Sequence, residues 1–427
     1  MRIKILLLLL LFYSAIFSLS AQEITKGEVY AYARKIVDTL TSESMHGRGY
    51  VNCGDSIAAN YLKNEFSKIG LKSFGDDYYQ KLSFGINTFP ENVSVQINGK
   101  ELSPGKDFLI YAYSPTSRGT CKIVFADDQL IENKKKYRKF LKTDFKDKVV
   151  LVTDTGKQTK ELHDLLGNSI HAKAIVSLKD KLTWSMSQTT NDFPIIEILR
   201  TSLLVNPKEI TFDITNKFIP KHVSQNVIGF VQGSVYPDSF IIYSAHYDHL
   251  GQMGKDVYFP GANDNASGCA MLLNLANHYS QPENKPRCSV VFIAFCGEEV
   301  GLLGSKYFTD NPIFPLRNIK FVFNMDIMGT GEEGITVVNG SIYKSEFDLL
   351  KEINLTNAFI KDVKIRGKSA NSDHYHFSEK GVKAFFIYTM GGIKAYQDIY
   401  DRPETLPLNA FENVFKLITK FGERLQQ

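Results

Sequence analysis

An excess of either charge is what this 427-residue chain lacks: 50 Lys and Arg stand against 46 Asp and Glu, a formal +4 that becomes +2 if Arg2 and Lys4 are lost with an N-terminal leader. That balance gives no electrostatic footprint for nucleic acid, which is not expected as a partner. Cysteine is sparse too. Cys53, Cys121, Cys269, Cys288 and Cys296 are odd in number and show no CxxC or Cys/His spacing, which argues against a disulfide framework. Cys269 and Cys296 fall in apolar segments and read as buried free thiols. The chain has no internal repeat, no low-complexity tract and, beyond its first residues, no apolar run long enough to span a bilayer.

What is present begins with "MRIKILLLLLLFYSAIFSLSAQ": Arg2 and Lys4, an apolar run from Ile5 to about Leu19, then the small residues Ser18, Ser20 and Ala21. That order is a secretory signal, here residues 1–21, with cleavage expected after Ser20 or Ala21. An uncleaved run would instead act as an anchor. The mature chain is expected to be exported, secreted or periplasmic, without a stable membrane span.

About 400 mature residues can bury a large core in more than one domain. "EVYAYARKIVDTL" and "DSIAANYLKNEFSKIGL" carry helical apolar spacing on either side of the polar loop "TSESMHGRGYVNCG". From about Phe89 to Lys221 come short apolar runs such as "DFLIYAYS", "CKIVFADD" and "DKVVLVTD", which predict a smaller, strand-rich domain. The basic run "ENKKKYRKFLKTDFKDK" is interrupted by acids and reads as a solvated face. From "NVIGFVQG" onward, apolar strands alternate with helix-like segments. This predicts an α/β fold with a mostly parallel central sheet covered by helices.

Four apolar runs of that last region each end in possible ligands. "SFIIYSAHYDHLG" delivers His246 and Asp248, "SVVFIAFCGEE" delivers Glu298 and Glu299, "IKFVFNMDIMG" delivers Asp326, and "VKAFFIYTMGGIKAYQDIYD" delivers Asp398 and Asp401. All lie beyond the carboxyl ends of predicted strands, the edge where open α/β sheets bind ligands. Asp264, in "PGANDNASG", stands where a loop passes into a helix, and read alone it is a helix cap. Taken together, His246, Asp264, Glu298, Glu299 and Asp326 would concentrate four carboxylates on one rim, which repel unless cations neutralise them. A mixed imidazole and carboxylate set suits Zn²⁺ or another borderline divalent ion. Two ions bridged by a carboxylate can activate water and polarise a carbonyl, the chemistry of amide hydrolysis. One glutamate of the pair would then bind metal while its neighbour takes the proton of the water.

The ordered set "SAHYDH", "PGANDNASG", "FCGEEVGLLGS", "NMDIMG" and "SDHYHF" resembles the zinc-dependent aminopeptidase family of the M28 type, which includes secreted bacterial aminopeptidases and glutamate carboxypeptidases. "MHGRG" is similar to that family's start. The resemblance implies peptide substrates and two zinc ions: His246 and Asp326 on one, Asp264 bridging, Glu299 on the other. It implies Glu298 as general base and Asp248 as the partner of the far nitrogen of His246. It also implies that 96–221 is a protease-associated-like insertion dividing the catalytic domain into 22–95 and 222–427. In "YQDIYD", Gln397 stands where the family has its last histidine. Coordination by the Gln397 amide oxygen, replacement by Asp398 or Asp401, and a weak or missing second ion are all open. His374 and His376 are nearby candidates, read first as polar wall.

The resulting expectation is an exported zinc aminopeptidase using Glu298 as its base. Its rivals are a carboxypeptidase or single-metal glutaminyl cyclase-like enzyme, and a degenerate peptidase that only binds peptides or proteins. Side-chain preference and oligomeric state are not encoded in any motif.

Overall fold

In the computed structural model, residues 27–153, 159–203 and 206–427 are described. The expected export signal, 1–21, lies outside them. No helix among the described residues is long and apolar enough to cross a membrane.

The main body is built on an eight-stranded sheet. Its strands, in spatial order, are Tyr79–Thr88, Lys217–Val231, Cys288–Phe295, Tyr236–His246, Ile319–Met325, Ala384–Met390, Gly334–Val338 and Val363–Ile365. The four central strands, from Cys288–Phe295 to Ala384–Met390, are parallel to one another. The flanking pairings to Tyr79–Thr88, Lys217–Val231 and Gly334–Val338 are antiparallel. The expected parallel sheet is therefore its centre, and its margins are mixed.

The reason is legible in burial. All eight residues of Cys288–Phe295 are buried, as a strand covered on both faces requires. Alternate side chains serve two cores. Val290, Phe292 and Ala294 join one side, with the helices Glu28–Leu40, Gly54–Ile69, Ser267–Ser280 and Phe411–Leu425. Val291, Ile293 and Phe295 join the other, with Phe308 and Phe377 from the helices Leu303–Asp310 and His374–Glu379. Ser267–Ser280 is apolar nearly all round, burying Cys269, Met271, Leu272, Leu273 and Leu275, because it lies between the sheet and other helices. Phe411–Leu425 is amphipathic, and its inward stripe sets Phe421 against Phe321 and Phe323 at 5.5 and 5.6 Å between ring centroids.

A second eight-stranded sheet, entirely from residues between Val93 and Ile214, is inserted between Tyr79–Thr88 and Lys217–Val231. It begins and ends a few residues before the 96 and 221 expected from sequence. It is also less purely strand-built: Asp128–Glu132, Lys134–Phe140 and Lys160–Leu166 are helices, capped by the side chains of Asp127, Asn133 and Thr159. The basic run forms the second of these, with Phe140 buried and Lys134, Lys135 and Lys136 exposed. Thr88 pairs directly with Lys217, so the insertion leaves and re-enters the main sheet at one point.

The insertion's core is continuous with the main body. Leu250, Met253 and Phe259 of the catalytic half pack into it, and Trp184 stacks on Phe259 with centroids 4.7 Å apart. The Trp184 indole donates to Ile110 O at 2.7 Å, and its backbone N–H donates to Gln397 O at 2.8 Å.

Candidate metal centre

Parallel register carries the polar residues to one edge. His246 pairs with Phe295, three residues before Glu298. Ser244 pairs with Asn324, placing His246 level with Asp326. The loop before Ser267–Ser280 adds Asp264, whose backbone N–H and that of Asn263 donate to the two carboxylate oxygens of Asp401 at 2.9 and 2.8 Å.

Arg48 fixes how these loops meet. It is fully buried and donates to Tyr247 O, Leu40 O, Pro260 O, Gly261 O and Asp264 O at 2.6–3.3 Å. The five N–H groups of a guanidinium are thus all used, one on the nearby Leu40 and four on carbonyls 199–216 residues distant in sequence. Beside it, Gly47 has φ +62°, and a Cβ there would lie 2.5 Å from Gly251 O. The "MHGRG" loop therefore needs glycine for both backbone conformation and close approach.

His246, Asp264 and Asp326 converge. His246 Nε2 is 3.3 Å from Asp264 Oδ1 and 3.3 Å from Asp326 Oδ1, and all three residues are buried. Ligands about 2.0–2.1 Å from a tetrahedral zinc ion lie about 3.3–3.4 Å from one another, so the spacing fits such an ion. Asp326 is steadied by Ser372, whose hydroxyl donates to Asp326 Oδ2 at 2.9 Å while accepting from Asn324 Nδ2 at 2.7 Å.

A second group comprises His249, Asp264 and Glu299, with one ligand atom from each within 4.8 Å of the others. His249 Nδ1 is 2.7 Å from Glu299 Oε1. Gln397 Nε2 donates to Glu299 Oε2 at 3.1 Å.

The other sequence candidates have different positions. Asp248 does not reach the far nitrogen of His246 as expected: its carboxylate is 3.8 Å away, and the nitrogen meets the Asp248 backbone oxygen at 3.1 Å. The carboxylate instead accepts from Tyr50 Oη at 3.0 Å and from the N–H groups of Glu298 and Glu299 at 3.1 and 3.3 Å, so it sets the turn that presents both glutamates. Asp401 spends its oxygens on the Asp264 loop. Asp398 accepts from Tyr400 N at 2.9 Å and pairs with Lys181 at 3.4 Å. His374 is buried beside Phe386, His376 is half-buried, and neither belongs to a ligand group among the described residues.

Electrostatics mark the cluster as short of positive charge. Burial first, then Asp326, Glu299 and Asp373, push the Glu298 carboxyl well up despite His246. Burial and Asp264 do the same to Glu299. Asp248 is pushed up to about 6 by burial. Burial opposes protonation of His246, yet Asp326, Glu298 and the contacts to Asp264 outweigh it and hold the imidazole well above its usual range. Burial lowers His249 to about 4, keeping it neutral. A divalent cation bound here would supply the charge that these carboxylates lack.

Glu298, Glu299, Asp264 and Asp326 open on a cavity of about 210 Å³ whose other walls include Ile327, Arg366, Asn371, Phe386, Tyr388, Tyr396 and Gln397. Sequence reasoning missed Arg48, Ser372 and His249. The first two act through backbone carbonyls and a carboxylate that spacing cannot reveal. His249 was visible only as the second histidine of "HYDH".

The profile of Peptidase family M28 matches residues 226–422. Aminopeptidase YwaD of Bacillus subtilis is 28% identical over 364 residues, covering 82% of this chain and 74% of that protein. A probable zinc metalloprotease of Pyricularia oryzae is 36% identical over 113 residues, but the match spans 22% of its length. Among solved structures, a zinc aminopeptidase from Bacillus subtilis superimposes with a TM-score of 0.68 at 20% identity, covering 92% of this chain and 93% of that one. A Peptidase M28 precursor from Shewanella amazonensis gives 0.71 at 16% identity, covering 93% of each. These structural matches establish a shared α/β fold, and residues 226–422 are similar to Peptidase family M28.

Proposed function

We propose that the protein is an exported zinc exopeptidase that removes N-terminal residues from peptides. The observation that carries this reading is the placement of His246 Nε2 at 3.3 Å from both Asp264 and Asp326, with Glu298 at the same cavity. His246, Asp264 and Asp326 would hold a zinc ion, which when bound would supply Lewis-acid chemistry to a peptide carbonyl and to water. Glu298 accepts the proton of the attacking water and passes it to the departing amine. Asp248, bonded to the N–H groups of both glutamates, keeps Glu298 directed at the cavity. The free amino end of the substrate lies among the carboxylates that bind metal, which suits a cation. Residues 1–21 act as the export signal in this reading.

The test combines metal analysis of the purified protein with turnover of aminoacyl chromogenic amides. Bound zinc and hydrolysis support the proposal; neither metal nor turnover leaves a peptide-binding protein. Glu298→Gln is expected to retain metal while turnover falls by a factor of about 10²–10⁴, the usual contribution of a positioned acid–base group. Undiminished hydrolysis removes Glu298 from the mechanism.

A further inference from the structure

We infer that His249 supplies the imidazole ligand of the second divalent-cation position expected at Asp264 and Glu299, and that Gln397 is the hydrogen-bond donor that orients Glu299. The inference rests on the metal reading of the neighbouring group, with which it shares Asp264.

Three side chains from three different segments bring ligand atoms within 4.8 Å of one another. The imidazole is completely buried. Its Nδ1 is engaged with Glu299 Oε1 at 2.7 Å, while its Nε2 has no hydrogen-bond partner. The nitrogen turned toward Glu299 is Nδ1, the one placed to share an ion with that carboxylate. The ring is also held in place. The His249 backbone N–H donates to Arg48 O at 3.3 Å, and a Cβ on Gly261 would come within 2.6 Å of the ring carbon Cγ. The glycine leaves the room that the imidazole occupies.

Gln397 has a different place. Its backbone oxygen is bound by Trp184 N and its amide nitrogen points at Glu299 Oε2. An amide presenting N–H to a carboxylate acts as a support for a ligand. Nitrogen and carboxylate donors in this ratio suit Zn²⁺, Co²⁺ or Mn²⁺. The competing view makes His249 and Glu299 a buried hydrogen-bonded pair with no ion between them.

Metal-stripped full-length protein titrated with Zn²⁺ in a calorimeter decides between the two. Wild type is expected to take two equivalents. His249→Ala is expected to take one, or to bind the second at least about 100-fold more weakly, beyond the loss that removal of a supporting contact brings. Gln397→Ala is expected to keep two, with the second weakened by about 10–100-fold at most. Imidazole ¹⁵N spectra of the wild type provide a reading that needs no variant: the second equivalent of Zn²⁺ should shift a His249 ring nitrogen. The inference is overturned if His249→Ala keeps two ions at unchanged affinity, if Gln397→Ala is the variant that loses one, or if zinc shifts the ring of His246 alone. Should His249→Ala not fold, the spectra decide. A wild type that binds no ion removes the underlying metal reading too, and its flat titration is distinct from the single equivalent that would remove only the second position.

Discussion

Arg48 shows how far a single residue can act from its own position. Its five N–H groups hold three backbone oxygens of the Asp264 loop together with those of Leu40 and Tyr247. Arg48→Met keeps much of the volume and strands those oxygens, so it is expected to cost more than about 3 kcal/mol at the cost of about 1–3 kcal/mol per buried unsatisfied group. Urea unfolding measures this. Arg48→Lys is not expected to restore it, because an ammonium carries three donors and no fork. None of this was readable in "MHGRG", since the partners are carbonyls that any residue provides. His246, Asp264 and Asp326 were readable as a converging set, because each follows a strand or begins a helix at one sheet edge. The contact of Asp248 was misread: the sequence shows that it follows His246 by two residues, but not that its backbone oxygen meets the ring first.

At the scale of elements, the alternation of apolar strands and helical segments after Val223 made the sheet centre legible, and the structure matches it in the four strands Tyr236–His246, Cys288–Phe295, Ile319–Met325 and Ala384–Met390. The margins were not legible. Strand direction depends on how the chain returns, and "NVIGFVQG" reads the same whether its neighbour runs with it or against it. The helix Ser267–Ser280 is the most demanding element, since nearly every residue from Ser267 to Ala276 is buried. Leu273→Ala there is expected to destabilise by about 2–5 kcal/mol, read from a denaturation midpoint that falls without a change in slope. The same variant should leave metal stoichiometry intact in the folded fraction, because Leu273 touches the core and not the ligands.

At the scale of the whole molecule, two sheets share a boundary at the site. The one tryptophan of the chain, Trp184, stacks on Phe259 and binds Gln397 O. Its fluorescence is therefore expected to change when metal is stripped by a chelator and to return when zinc is added; emission indifferent to zinc would show that the Gln397 segment does not respond to the ions.

The insertion arises where Thr88 pairs with Lys217, so in topology it is an overgrown hairpin turn, and a short turn could replace it without moving either strand. Yet Lys181 reaches Asp398, and Trp184 reaches Gln397, so the outgrowth grips the segment whose amide touches Glu299. Reciprocity would then bind the two events: if a peptide or protein that tilts the insertion alters how tightly an ion is held, ion occupancy must alter that partner's affinity by an equal factor.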